Sequence, residues 1–206
     1  MILAFAQQKG GAGKTTVLAH LAHAWAQTGR SVGLADLDPQ RSLSIWAGVR
    51  ADAPYTVVES AGWRAGSDIK DLARDHDVTL IDCPGNASNL LEAALRAADM
   101  VVIPCQPSML DVWATAPVLE MAGKEKTPAR VLLNRVPPRG TAPDQARAAL
   151  KDTGATLLKS TLGNRVAFAN GFATGTTALG LSRTSRASAE VTALRKELER
   201  TLKKLS

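Results

Sequence analysis

A glycine-rich segment near the start of the chain carries the clearest chemical pattern in the sequence. It reads Gln7-Gln8-Lys9-Gly10-Gly11-Ala12-Gly13-Lys14-Thr15-Thr16 and stands between an apolar run and an amphipathic segment. Residues 8–15 fit the phosphate-loop pattern G-x-x-x-x-G-K-[ST], except that Gln8 stands where the pattern has its first glycine. Such a loop turns its backbone N–H groups toward an anion, and the helix that follows adds partial positive charge. The pattern therefore predicts a site for nucleotide phosphates.

The side chains around this loop have separate predicted roles. Lys14 places a positive charge at the β- and γ-phosphates, and the Thr15 hydroxyl is a ligand for Mg²⁺. Asp82 follows the apolar run 78–81, where a carboxylate beside a phosphate loop is placed to hold Mg²⁺ through water. The alternatives are a glycine-rich turn without a ligand and an aspartate that caps a loop. The loop residues expected to bind nucleotide are Lys9, Gly10, Gly11, Ala12, Gly13, Lys14, Thr15 and Thr16.

Short apolar runs alternate with amphipathic segments along the chain, and such elements would position the loop. The runs are 2–6, 31–35, 55–58, 78–81, 100–104, 129–133 and 155–158. The predicted helices are 14–28, 42–49, 68–75, 88–98, 110–123 and 144–152. Continuous apolar runs are typical of parallel strands that are buried on both faces. We therefore predict one α/β domain over residues 1–206, with a mostly parallel twisted sheet and helices on both faces.

The C-terminal segment differs from the rest of the chain. Residues 163–188 are rich in Gly, Thr, Ala and Arg and show no dominant period. A helical stripe follows, formed by Val191, Leu194, Leu198, Leu202 and Leu205. We expect this helix to pack on the sheet. The alternative is an amphipathic helix on a membrane surface, against which its glutamates argue.

Composition limits the class of protein. The 206 residues are 45% hydrophobic and 21% charged, so the chain can bury a core and global disorder is not expected. No apolar run reaches the roughly 18 residues of a membrane span, and the apolar start lacks the basic region and cleavage site of a signal peptide. Because the only cysteines are Cys83 and Cys105, we expect a reducing cytoplasm. We also expect both cysteines to be buried, and His20 and His23 to lie on an exposed polar face.

Charge is distributed unevenly between the two halves of the chain. Residues 1–123 carry nine Lys and Arg against thirteen Asp and Glu, whereas residues 124–206 carry sixteen against six. The excess of positive charge in the second half indicates either a surface for a polyanion or an ordinary solvated basic surface.

These motifs resemble those of the ParA/MinD family of deviant Walker A ATPases. The family's phosphate loop is marked by a second lysine near its start, and Lys9 holds that place. The segment Asp36-Leu37-Asp38-Pro39-Gln40 resembles the family's D-x-D-P-Q segment, and Thr79-Leu80-Ile81-Asp82 resembles its Walker B strand. The order of strands also fits, so the resemblance spans nearly the whole chain. The short length, without an N-terminal helix-turn-helix extension, is similar to the small ParA, or ParF-like, branch.

The resemblance implies catalytic roles for Lys9, Lys14 and Asp38. Asp38 would orient the attacking water, and Lys9 would reach across a dimer to the partner's nucleotide. Asn134 matches the position at which these ATPases contact adenine. Position in the sequence alone gives Asp38 another role, as the cap of the helix predicted over 42–49. Asp36 is expected to be a positioning residue.

The resemblance also implies a role for the basic half of the chain. ATPases of this family bind DNA without sequence specificity, as ATP-bound dimers, through arginines and lysines near the C-terminus. Arg165 and Arg186 resemble the contacting positions, with Arg183 an alternative to Arg186 because that match needs a one-residue shift. Lys151 and Lys159 would extend the surface. Contacts of this kind are directed at phosphates and weaken steeply with salt.

Together these features favour an ATP-driven switch that uses ATP and Mg²⁺ and positions a cargo in a bacterial cell. Such a switch would form an ATP-dependent homodimer, bind duplex DNA of the nucleoid, and respond to a cargo-bound partner protein that stimulates hydrolysis. One alternative is a MinD-like ATPase at the membrane, which the expected packing of the tail helix disfavours. Another is a metabolic P-loop enzyme such as a dethiobiotin-synthetase-like ligase, against which Lys9 and the segment 36–40 argue.

Overall fold

A parallel sheet of six strands forms the centre of the computed structural model, which describes residues 1–49, 52–86 and 89–205. The strands are β1 (Ile2–Phe5), β2 (Val32–Asp36), β3 (Tyr55–Glu59), β4 (Val78–Asp82), β5 (Met100–Cys105) and β6 (Ala129–Leu133). Their order is β3-β2-β4-β1-β5-β6, and every pair is parallel. Strands β2, β4 and β5 are buried along their whole length, which explains their continuous apolar character. The predicted fold is confirmed.

Helices cover both faces of this sheet. They are α1 (Lys14–Ala26), α2 (Ser42–Gly48), α3 (Ala65–Asp75), α4 (Asn89–Ala97), α5 (Met109–Trp113), α6 (Ala116–Lys124), α7 (Ala142–Asp152), α8 (Val166–Ala173), α9 (Ala178–Leu181) and α10 (Arg186–Leu202). Leu3 and Phe5 of β1 join the core that contains α1 and α10, whereas Ala4 joins the core that contains α3 and α4. Successive side chains of β1 therefore enter opposite cores, as the pleat of a strand requires.

Three parts of the chain differ from the sequence-based prediction. The run 155–158 is not a strand, since Leu157 makes only an isolated bridge to Val131. The segment 110–123 is two helices instead of one, because Pro117, in the first turn of α6, has no N–H for a continuous helix. Residues 163–188 contain α8 and α9, although no period indicated them. The helix predicted over 88–98 is observed as α4, and Ser88 lies outside the described residues.

The tail helix α10 packs into the core, as predicted. Val191, Leu194 and Leu198 are fully buried. The indole N–H of Trp25 in α1 donates a 2.8 Å hydrogen bond to Glu199 of α10. Leu205 is not part of the buried stripe, since it follows the end of α10 and is 43% exposed. None of the helices described has both the length and the apolar character needed to cross a bilayer.

Candidate nucleotide site

The phosphate loop joins β1 to α1 at the carboxyl edge of the sheet. Gly11 and Gly13 adopt left-handed backbone conformations, with φ angles of 78° and 93°. A Cβ at Gly13 would lie 2.5 Å from Nδ2 of Asn134, so space as well as conformation requires glycine there. Helix α1 begins at Lys14 and has no acidic residue in its first turn. Its unbonded N–H groups and its dipole favour an anion at this end.

Asp82 and Thr15 form the part of the site suited to a metal ion. Asp82 is fully buried at the end of β4, and the Thr15 hydroxyl donates a 2.6 Å hydrogen bond to its Oδ2. The other carboxylate oxygen, Oδ1, has no hydrogen-bond partner among the described residues. Burial raises the pKa of Asp82 to about 7, although the Thr15 hydrogen bond and the charge of Lys14 act in the opposite direction. An unpartnered carboxylate oxygen beside a hydroxyl is an oxygen donor set that suits Mg²⁺.

The two aspartates that follow β2 make different contacts. Oδ2 of Asp36 accepts hydrogen bonds from the N–H and the hydroxyl of Ser44, at 2.9 and 2.8 Å. Because Ser44 lies in the first turn of α2, Asp36 caps this helix and is the positioning residue that the sequence predicted. Asp38 makes no such contact with α2. Its Oδ1 accepts the N–H of Gln40 at 3.0 Å, and the residue lines the same cavity as the phosphate loop.

Two cavities meet at the phosphate loop. The first, here the phosphate cavity, is lined by the loop, by Asp38, and by residues 84–86, which follow β4. The second, here the adjoining cavity, is lined by Asn134 and Arg165 and by apolar residues that include Leu162 and Phe168. Residues 84–86 were not among the residues predicted to form the site. A Pro-Gly pair one residue after a buried strand is the signal in the sequence, because it indicates a turn at the edge where α/β proteins bind ligands.

Asn134 connects β6 to the phosphate loop. Its Nδ2 donates a 2.8 Å hydrogen bond to the carbonyl of Ala12, and its Oδ1 accepts the N–H of Arg135 at 2.9 Å. The side chain also lines the adjoining cavity. Asn134 therefore fixes the loop from the side on which a nucleoside would lie, and its contact with adenine stays a prediction.

Lys9 is ion-paired within its own subunit. Its Nζ lies 2.5 Å from Oδ2 of Asp111, a buried carboxylate in α5. The hydroxyl of Ser108 donates to the same oxygen, and Oδ1 of Asp111 has no partner among the described residues. Sequence reasoning assigned no role to Asp111. The spacing from Ser108 to Asp111 resembles a capping pattern at a helix start, but nothing in the sequence shows that Lys9 lies beside it.

The predicted DNA-contacting residues occupy different environments. Nε and Nη2 of Arg165 donate hydrogen bonds of 2.9 and 2.5 Å to Glu190, so this arginine is already neutralised by α10. Arg183, Arg186 and Lys151 are exposed, and Arg186 is the first residue of α10. The exposed Lys159 lies in a groove, here the basic groove, with two cations of α10 and the two lysines that follow its end, none of which the sequence pattern marked. These are Lys196, Arg200, Lys203 and Lys204.

The prediction of an exposed His20 is wrong. The ring is fully buried, because α8 and α10 cover the side of α1 that the helical pattern left polar. Nδ1 lies 2.8 Å from the carbonyl of Thr16, which can only accept, so Nδ1 carries the proton. Burial lowers the pKa of His20 to about 4. Both cysteines are buried as expected, and burial raises the pKa of Cys105 to about 12.

Burial of a neutral histidine should make the protein sensitive to acid. The folded-state pKa of His20, about 4, is below the ordinary value of 6.5, so folding disfavours its protonated form. The contribution of neutral His20 to the free energy of unfolding is therefore fully present above pH 6.5 and is lost as the pH falls toward the folded-state pKa. Urea unfolding measures the free energy of unfolding at about pH 7.5 and pH 5. We expect this free energy to fall by about 2 kcal/mol less in His20→Asn than in the wild type over that range. The asparagine amide can still donate to Thr16. An equal loss in both proteins would contradict this assignment.

Comparison with known families and proteins agrees with this geometry. A model of the CobQ/CobB/MinD/ParA nucleotide binding domain matches residues 3–178. The maintenance of carboxysome distribution protein A (McdA) of Halothiobacillus neapolitanus is 30% identical over 91% of each chain. The chromosome-partitioning ATPase Soj of Thermus thermophilus is 35% identical over 50% of this chain and 54% of its own. The chain thus spans about half the length of Soj.

Solved structures resemble the whole fold. MinD from Pyrococcus horikoshii, complexed with Mg-ADP, superposes with a TM-score of 0.81 at 20% identity, over all of this chain and 98% of its own. The ATP complex of an Asp-to-Ala variant of McdA from Cyanothece gives a TM-score of 0.82 at 18% identity, over 96% of each chain. At these identities the likeness shows a common fold.

Proposed function

The chain belongs to the CobQ/CobB/MinD/ParA family of nucleotide-binding domains and is a P-loop ATPase that uses ATP and Mg²⁺, and from this premise we propose that it is an ATP-dependent dimeric switch that positions a cargo. The observation that supports this most directly is the separation of the two lysines. Lys14 lines the phosphate cavity with Asp38, whereas Lys9 does not line it. Lys9 instead pairs with Asp111, so in this proposal it leaves that carboxylate to reach the nucleotide of a second subunit.

The proposed cycle follows from this arrangement. ATP binding brings two subunits together, a cargo-bound partner protein raises the rate of hydrolysis, and ADP returns the subunits to the free state. The names of the two relatives, which concern carboxysome distribution and chromosome partitioning, support a positioning role. ATP turnover without any small-molecule acceptor separates this function from that of a ligase. Hydrolysis that appears only when an acceptor is added would contradict the switch.

We further propose duplex DNA as the surface on which the switch acts, with the basic groove as a main contact. Among the described residues, none of the five groove cations has an ion-pair partner within 4.0 Å. Glu197 also lines the groove, but its two carboxylate oxygens accept the N–H groups of Lys159 and Ser160, each at 2.7 Å. This contact ties the loop to α10, and the one carboxylate of the groove forms no ion pair within 4.0 Å with any described residue, although its charge acts on Arg200. Arg165, by contrast, must leave Glu190 before it can contact DNA.

Fluorescence anisotropy on unrelated duplexes tests this proposal. We expect binding with a non-hydrolysable ATP analogue, little binding with ADP, and no preference for base sequence. The double change Lys196→Glu and Arg200→Glu should weaken binding and lower the slope of log affinity against log salt by about two. The matched control is Lys70→Glu with Arg74→Glu, an exposed Lys and Arg with the same spacing on α3.

Each other outcome of this experiment has a separate meaning. Equal DNA binding with ATP analogue, with ADP and without nucleotide would contradict the switch. An equal effect of the α3 control would show that net charge matters and the groove does not. Loss of binding in Arg165→Gln alone would favour the position that the family resemblance indicates. Recruitment to anionic liposomes without DNA binding would identify a membrane ATPase of the MinD type.

A further inference from the structure

Arg135 occupies the junction between the phosphate cavity and the adjoining cavity. It follows Asn134 at the carboxyl end of β6, and the two cavities share three lining residues, Gly13, Thr16 and Arg135. Of these three, Arg135 is the one with a charged side chain. The phosphate cavity contains Lys14 and the polar loop, whereas the adjoining cavity is largely apolar. A nucleotide that spans both would place its sugar and first phosphate beside Arg135.

The backbone of Arg135 is held in a conformation that arginine rarely adopts. Its φ angle is 52°, in the left-handed region that favours glycine. The N–H of Arg135 donates to Oδ1 of Asn134, and the N–H of Val136 donates to the carbonyl of Leu162 at 2.9 Å. These contacts fix the turn. Arg41 and Lys126 have similar φ angles, 52° and 58°, so what distinguishes Arg135 is that its turn places a cationic side chain on the lining of both cavities.

Charge in the surroundings also favours an anionic ligand at this residue. Arg135 is exposed, and it makes no ion pair with any carboxylate in the described part of the chain. Arg165, the other arginine of the adjoining cavity, is neutralised by Glu190. Lys14 and the start of α1 serve the terminal phosphates. Among the described residues, Arg135 is therefore the cation that lines both cavities and has no ion-pair partner.

We propose that Arg135 is a nucleotide-binding residue that holds the phosphate attached to the sugar. The inference rests on the nucleotide site described above and adds a contact that neither the phosphate loop nor Asn134 provides. A guanidinium that binds this phosphate stabilises ADP and ATP equally, because the γ-phosphate lies beyond its reach. The contact is a charge-assisted hydrogen bond, which is stronger than one between neutral groups.

Titration calorimetry with ADP and with a non-hydrolysable ATP analogue tests the proposal. Arg135→Gln should weaken both affinities by a similar factor, roughly tenfold. Arg135→Lys should recover part of the loss, because it restores the charge without the forked donor. The matched control is Arg139→Gln, which removes an exposed arginine four positions later that lines neither cavity. This control should bind both nucleotides like the wild type.

A glycine variant separates binding from folding. Arg135→Gly relieves the left-handed backbone, so its melting temperature should equal or exceed that of the wild type while its ADP affinity falls as in Arg135→Gln. A lower melting temperature with the same loss of affinity would show a structural role and overturn the proposal. Unchanged ADP affinity in Arg135→Gln, or a loss confined to the ATP analogue, would also overturn it. Failure of the wild type to bind ATP would instead refute the function proposed above.

Discussion

Asp38→Asn should reduce ATP turnover by a hundredfold or more while leaving ATP binding close to that of the wild type. The asparagine has the same shape and can still accept the N–H of Gln40, so the turn should persist. What disappears is the carboxylate that would orient or accept a proton from the attacking water. Among the described residues Asp38 makes no hydrogen bond to Thr15 or Asp82 and does not cap α2, and its charge is only a minor cause of the raised pKa of Asp82, so metal binding and the helix should change little. Phosphate release and titration calorimetry measure the two effects separately.

Two other variants make this result specific to Asp38. Asp36→Asn removes a charge two positions away but weakens the cap on α2, so it should lower the melting temperature more than the rate. Lys14→Ala removes the charge at the β- and γ-phosphates and should abolish binding of ATP and ADP alike. Turnover at the wild-type rate in Asp38→Asn would show that another group orients the water.

The parts of the site that could be predicted from the sequence are those that depend on neighbouring residues. The phosphate loop needs glycine at positions such as Gly13 and a lysine directly after it, and these lie side by side in the chain. Asp82 could be placed because parallel strands bring their carboxyl ends to one edge of the sheet. The structure pairs Asp82 with Thr15 as this argument requires. The buried cores follow from the same strand pattern.

The parts that could not be predicted depend on contacts between distant segments. Lys9 and Asp111 are 102 positions apart, and no periodicity relates them. The burial of His20 depends on how the C-terminal helices cover α1, which a helical pattern in α1 alone does not reveal. Arg135 stands out only because of the two cavities that it lines, and these are formed by segments far apart in the chain. Each of these features was decided by packing and could not be read from local composition.

The ion pair between Lys9 and Asp111 should oppose dimerisation until ATP is present. If Lys9 crosses to the partner's nucleotide, it leaves Asp111 buried without its cation, which is unfavourable. Asp111→Asn removes the charge and can still accept the Ser108 hydroxyl, so Lys9 is released without a large change in packing. We expect this variant to dimerise about tenfold more tightly with a non-hydrolysable ATP analogue. Analytical ultracentrifugation measures the dissociation constant directly.

Lys9→Ala is the opposite test of the same contact. Without the lysine, no positive group from one subunit reaches the phosphates of the other, and two facing anionic nucleotides repel. This variant should bind ATP through Lys14 but remain monomeric with saturating analogue. For Asp111→Asn, the control for loss of a negative charge alone is Asp144→Asn, which removes an exposed carboxylate at the start of α7 and should behave like the wild type. Normal dimerisation of Lys9→Ala, or an unchanged dissociation constant in Asp111→Asn, would show that the intrasubunit pair does not control assembly.

A wild-type dimer of equal strength with ADP would exclude Lys9 as a sensor of the γ-phosphate, because only ATP supplies the group that could draw it away from Asp111.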